Sequence, residues 1–87
     1  METTIITFDI TTSYDEWVKT YDASVEIQKK SGITSLFRGF KKQDPTKCVS
    51  IMQAEPGKLD EFMAANADMI SQSGHVIESS IINTYLS

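Results

Sequence analysis

Ile33-Thr34-Ser35-Leu36-Phe37-Arg38-Gly39-Phe40-Lys41-Lys42-Gln43-Asp44-Pro45-Thr46-Lys47-Cys48-Val49-Ser50-Ile51-Met52-Gln53-Ala54-Glu55 is the stretch on which the fold turns. Two strand-like runs, residues 33–42 and 48–55, flank Asp44-Pro45-Thr46-Lys47. Proline presets φ at the second position of a turn and aspartate favours the first, so an antiparallel hairpin is expected. Alternation puts Ile33 and Phe37 on one face of the first run, with Leu36, Arg38 and Phe40 on the other. In the second run it sets Cys48, Met52 and Ala54 against Val49 and Ile51. Both strands thus carry large apolar side chains on both sides.

Upstream, residues 31–32 are preceded by a helical pattern. Ser13 and Glu16 have capping-box spacing, Asp15 and Glu16 suit the positive end of a helix, and Lys29 and Lys30 suit its negative end. Tyr14, Trp17, Val18, Tyr21 and Val25 repeat at helical spacing, and Gly32 can supply the left-handed residue that ends the helix. Before it, residues 3–10 read as a strand with Ile6, Phe8 and Ile10 on one face and Ile5 and Thr7 on the other. Downstream, Pro56-Gly57 opens a second helix to about residue 72, with Leu59, Phe62, Met63, Asn66, Ala67 and Ile70 inward. Gly74 closes it. Residues 75–86 form a last strand, with Ile77, Ile81 and Tyr85 on one side and Val76, Ile82 and Leu86 on the other.

Strand, helix, strand, strand, helix, strand is the ferredoxin-like α+β order, a four-stranded antiparallel sheet with two helices on one face. Residues 1–87 then make a single domain. A sheet covered on one side should read polar on the other, and this one does not. Left in water, the second face would be an apolar patch of roughly several hundred Å², which monomers rarely expose. Packing two copies across a two-fold axis removes it, so a homodimer through the open sheet face is expected.

Composition points the same way. A chain of 87 residues buries only about 60–65% of its unfolded surface and needs a staple or a partner. Cys48 is the only cysteine and His75 the only histidine, which excludes an internal disulfide and a Cys/His metal cluster. Eight basic residues among twelve acidic ones, for a net charge of −4, make no patch for nucleic acid or an anionic membrane. No apolar run approaches the roughly 20 residues of a membrane span, and Met1-Glu2-Thr3-Thr4 does not begin a signal peptide, so a cytoplasmic location is expected. Phosphate-binding, dinucleotide, nucleophile-elbow and zinc motifs are all missing, and no cofactor is expected.

The element order and the two-faced strands resemble the dimeric α+β barrel superfamily, which includes the antibiotic-biosynthesis monooxygenase domain. Ile5-Ile6-Thr7-Phe8, Tyr14-Asp15-Glu16-Trp17-Val18 and Gln72-Ser73-Gly74-His75 also look like small cyanobacterial proteins of a domain family of unknown function. The superfamily resemblance implies a cavity between the sheet and the helices. It also implies that an Asn, a Trp and a His near that cavity can serve cofactor-independent oxygenases or haem-degrading relatives. Trp17, Asn66 and His75 supply those residue types, although the resemblance places the asparagine on the first strand, which has none, and the histidine within the second helix, whereas His75 follows Gly74.

The residues themselves support a plainer reading. The aromatic stripe of Tyr14, Trp17 and Tyr21 is core or the wall of a pocket for a flat apolar ligand. Arg38 on an apolar face calls for a salt bridge or an anionic ligand, and Asn66 on a buried stripe must find partners. His75 can open the last strand or do acid–base work near neutral pH, with no carboxylate at dyad spacing; Lys47 can lower the pKa of Cys48 a little, but a free thiol beside a hairpin turn is read first as incidental. A non-catalytic homodimer that binds a small apolar or anionic ligand through Trp17, Tyr21, Arg38, Asn66 and His75, or that simply acts as an assembly module, is therefore the leading expectation. A cofactor-independent oxygenase on an apolar substrate is the alternative, and haem binding a third.

Overall fold

The computed structural model describes residues 1–87 as β1 (Glu2–Ile10), α1 (Tyr14–Lys30), β2 (Ile33–Lys41), β3 (Asp44–Ala54), α2 (Lys58–Ala65), α3 (Ala67–Gln72) and β4 (His75–Leu86). The strands form one sheet in the order β2-β3-β1-β4, with every neighbouring pair antiparallel. This is the ferredoxin-like arrangement. β1 starts α1 through Ser13, whose hydroxyl accepts from the Glu16 N–H at 3.2 Å, and Gly32 follows the helix at φ 81°.

Three local details differ from the sequence expectation. The second helical segment is two helices, because Asn66 leaves helical geometry at φ −121°, ψ 23°. Both its backbone N–H and its side-chain Nδ2 donate to the Phe62 carbonyl, at 3.0 and 2.9 Å, and so close α2. The hairpin reverses at Lys42 and Gln43, not at Asp44-Pro45-Thr46-Lys47. Asp44 pairs with Lys41, and the ladder resumes only at Phe40 with Cys48, so the Pro45 segment is a bulge inside β3. Asp44 Oδ1 holds that bulge by accepting from the N–H and the hydroxyl of Thr46 at 3.0 and 2.6 Å. The Asp-Pro signal was real but marked an irregular strand rather than the tip of the hairpin.

Bulges also change which side chains share a face. On β2, Leu36 is the extra residue between the pairs Ser35–Met52 and Phe37–Ile51. Ile33 therefore faces the helices together with Arg38 and Phe40, while Phe37 turns to the open face beside Ile51. On β4, Val76 pairs with Asp9 and Ile81 with Thr7, which loops out the residues between them. Ser79 bridges the gap in the ladder: its hydroxyl accepts from the Asp9 N–H at 2.7 Å and donates to the Val76 carbonyl at 2.6 Å. Val76, Ile81 and Tyr85 consequently lie on the open face, and Ile82, paired with Ile6, faces the helices.

The core sits between sheet and helices. Ile6, Phe8 and Ile10 from β1, Ile33 from β2, Cys48, Met52 and Ala54 from β3, Trp17 from α1, and Leu59 and Phe62 from α2 are buried together. The other face carries the row Phe37–Ile51–Ile5 across three strands, flanked by Val49, Ile81 and Tyr85. Phe37, Ile81 and Tyr85 are 55, 62 and 59% exposed. No helix is long and apolar enough to cross a membrane.

Candidate functional site

A cavity of about 450 Å³ lies between the sheet and the helices. Its floor is the inner face of β1, β3 and β4, and α1 roofs one side while α2 and α3 roof the other. Phe8 lines the cavity from β1, and its ring stacks on the His75 imidazole with centroids 3.9 Å apart and planes within 3°. Trp17 tilts against Phe8 at 5.4 Å and stacks on Tyr21 at 4.9 Å. Fourteen of the 21 lining residues are hydrophobic, and none is Lys, Arg, Asp or Glu.

His75 reaches the cavity because Gly74 turns the chain at φ 98° directly before β4. A Cβ at Gly74 would stand 2.8 Å from the Thr12 side chain, so glycine is needed for space as well as for φ. The β4 bulge then brings the Ser80 hydroxyl to 2.7 Å from His75 Nε2. Burial without an acidic neighbour pushes the imidazole pKa down to about 4. The ring is neutral at physiological pH. An iron-binding role for Nε2 would have to displace the Ser80 bond.

This shift makes a pH prediction with a definite sign. Above the ordinary value of 6.5 both folded and unfolded chains hold a neutral imidazole, so His75 has no effect on stability. As pH falls from 6.5 towards about 4 the unfolded chain takes up a proton that the folded chain refuses, and stability is lost. The loss should be about 1–2 kcal/mol, discounted for the part of the ring that meets solvent. Denaturation midpoints of wild type and His75→Phe, compared between pH 7 and 4, should diverge in that window; parallel curves would refute the assignment.

Of the other residues singled out by sequence, Trp17 and Tyr21 line the cavity with His75, whereas Arg38 and Asn66 do not. Arg38 makes a two-pronged bridge to Asp22, with Nε and Nη2 donating at 2.7 and 2.8 Å, and a further bond to the Tyr14 hydroxyl at 3.3 Å. That carboxylate raises the Arg38 pKa still further, and Arg38 holds the Asp22 carboxyl below its usual range. The pair clamps α1 to β2. Asn66 spends its amide on closing α2. The Tyr21 hydroxyl meets Ser35 at 2.7 Å, and burial raises its pKa. Cys48 is not activated by Lys47, whose ammonium is taken by Asp9 at 2.8 Å; burial lifts the thiol to about 11.

Several polar cavity residues, among them Ser24, Gln28, Ser50 and Ser80, are not marked by the sequence pattern. Ser24 and Gln28 are 7 and 3% exposed and line the cavity from the second half of α1. With Trp17 and Tyr21 they complete a stripe at spacings of four, three and four residues. Apolar periodicity continues to Val25 instead, which is only half-buried. The detectable signal was the helical spacing itself, continued from Trp17 without regard to polarity.

Comparison with known proteins gives a family and a fold. The model of the family described as "Domain of unknown function (DUF3764)" matches residues 1–87. No curated protein matches the chain in sequence. Among solved structures, one described as an antibiotic biosynthesis monooxygenase superposes with a TM-score of 0.75 at 15% identity, covering 100% of this chain and 98% of its own. One described as a putative antibiotic biosynthesis monooxygenase from Nitrosomonas europaea gives 0.71 at 14%, covering 100 and 98%. A variant of SnoaB, a cofactor-independent oxygenase from Streptomyces nogalater, gives 0.73 at 9%, covering 99 and 91%. At these identities the likeness is one of fold.

Proposed function

Since the chain belongs to the DUF3764 family, whose description assigns no activity, we propose from its geometry that it is a homodimeric α+β barrel that binds a small apolar molecule between its sheet and its helices. The observation that carries this is the cavity: about 450 Å³, walled mainly by hydrophobic side chains, with a few placed polar groups. Those are the size and composition of a small-molecule site. An apolar ligand suits this wall better than an anionic one, because no cation lines it and Arg38 is already paired with Asp22. Pairing of two open sheet faces would leave the cavity intact, since it lies on the opposite side of each sheet.

Trp17 is the only tryptophan, so its emission reports on the cavity alone. Titration with neutral phenylnaphthylamine should quench Trp17 saturably, and its sulfonated, anionic analogue should bind at least about tenfold more weakly, the cost of taking a charge into an unpaired apolar site. Absence of saturable quenching by the neutral probe would sink the binding reading.

A second reading, cofactor-independent oxygenase chemistry, is favoured by Trp17 and His75 flanking the same buried ring and by the fold shared with SnoaB. It requires dissolved oxygen to be consumed with a naphthol-type substrate above the protein-free rate, and that consumption to be lost in His75→Ala. The neutral imidazole, with its pKa near 4, is a weak base for such a step.

A further inference from the structure

We infer that Gln28 sets the specificity of the cavity: it selects neutral apolar ligands that carry a hydrogen-bond donor, a hydroxyl or an amide N–H, over isosteres that lack one. This rests on the binding reading above and adds to it the chemistry of the ligand's polar end.

The orientation of the Gln28 amide follows from its neighbours. The Ser24 hydroxyl has a single proton, and donates it to the Tyr21 carbonyl at 2.6 Å. Towards Gln28 it can therefore only accept, and it accepts from Nε2 at 3.0 Å. Exchanging the amide oxygen and nitrogen would set two acceptors against each other, so the assignment does not rest on appearance alone. Oε1 is thereby left without a partner. It is the only buried side-chain nitrogen or oxygen in the chain that makes no hydrogen bond.

A buried acceptor without a donor is costly, and such groups in folded proteins call for an explanation. Of the other polar groups at the wall, the Tyr21 hydroxyl bonds Ser35, the Ser73 hydroxyl the Ile70 carbonyl, and His75 Nε2 bonds Ser80; none of them makes a hydrogen bond to Oε1. What can serve Oε1 is constrained chemically. A methyl or an ether oxygen offers it nothing. A carboxylate adds a second acceptor with no cation in the wall to offset its charge. A neutral hydroxyl or amide N–H fits. Sites that hydrogen-bond a ligand group discriminate strongly against analogues that lack it, because the protein's own group is then left unpaired.

Trp17 and Gln28 stand eleven residues apart on α1, about 16 Å along its axis. The fluorescent reporter is thus distant from the discriminating group. Three probes of one shape separate the possibilities: naphthol, methylnaphthalene and methoxynaphthalene, titrated against wild type and Gln28→Met. Apolar burial alone favours the methyl compound over the hydroxyl compound. The expected result is the reverse, with naphthol binding wild type about tenfold or more tightly than either analogue, and the preference falling to twofold or less in Gln28→Met. Equal binding of naphthol and methylnaphthalene to wild type would overturn the inference while leaving the cavity reading standing, as would a preference that survives the substitution. Binding of none of the three would overturn both. Should Gln28→Met not fold, the side-chain NH2 resonances of Gln28 in wild type decide: they should move on adding naphthol and stay fixed on adding methylnaphthalene, and equal movement overturns the inference.

Discussion

Phe8→Ala should cost about 3–5 kcal/mol of folding stability, the range for removing a buried aromatic ring. Small domains have only about 5–15 kcal/mol in total, and each kcal/mol moves Tm by about 4–8 °C at this size. A fall in Tm of more than about 12 °C is therefore expected. The position is sensitive for structural reasons. β1 is bonded on both sides, by β3 and β4, and Phe8 is 3% exposed beneath α1. The ring is also the shared wall between His75 and Trp17. Because a cavity already adjoins it, the vacated space joins an existing void instead of being closed by relaxation. The same substitution uncovers His75, so the loss of stability between pH 6.5 and about 4 should shrink. Thermal and denaturant unfolding at pH 7 and pH 5 measure both effects. A cost below about 1 kcal/mol would mean that the aromatic stack is not the keystone of the core.

Ile51→Asp should convert the proposed homodimer to a folded monomer. Ile51 is the middle of the row Phe37–Ile51–Ile5, at the centre of the open face. In a two-fold pairing of these faces each chain would bury one unpaired carboxylate, at about 3–5 kcal/mol. Two such carboxylates per dimer cost about 6–10 kcal/mol, a rise in dimer Kd of more than about ten-thousandfold. In the free chain the same side chain is half-exposed, so the fold itself should tolerate the charge. Sedimentation at micromolar concentration should give twice 9.7 kDa for wild type and 9.7 kDa for the variant, with unchanged far-ultraviolet circular dichroism. A wild-type monomer would sink the dimer, and a variant that still pairs would move the interface elsewhere.

The fold was legible because it depends on features that sequence states locally. Ser13 with Glu16, the lysines ahead of Gly32, and Gly57 and Gly74 at φ 83° and 98° mark element ends by their own chemistry. The faces of the edge strands were not legible. Leu36 and the segment looped out between Val76 and Ile81 carry no residue that demands a bulge, and each inserted residue reverses the alternation beyond it. The site was half legible. Trp17, Tyr21 and His75 stood out as aromatic or titratable groups on apolar surfaces, and all three line the cavity. Arg38 and Asn66 stood out by the same rule, that a polar group on an apolar face must have a partner. Their partners are Asp22 and the end of α2. Ser24 and Gln28 were invisible because helix patterning rewards apolar residues, and theirs is a polar continuation of the stripe.

The bulges have a further consequence for what the protein does in a crowded solution. The sheet has two free margins, β2 and β4, and both are interrupted, by Leu36 on one and by the looped segment after Val76 on the other. A straight margin offers its unpaired N–H and C=O groups to any passing strand, and successive additions propagate into fibres. Neither margin here presents such a template for its full length. Growth from strand to strand is thereby discouraged at both ends, while the apolar face remains open to a single mate. The two-fold association proposed for that face would use up the surface that drives it, and so would close at two chains.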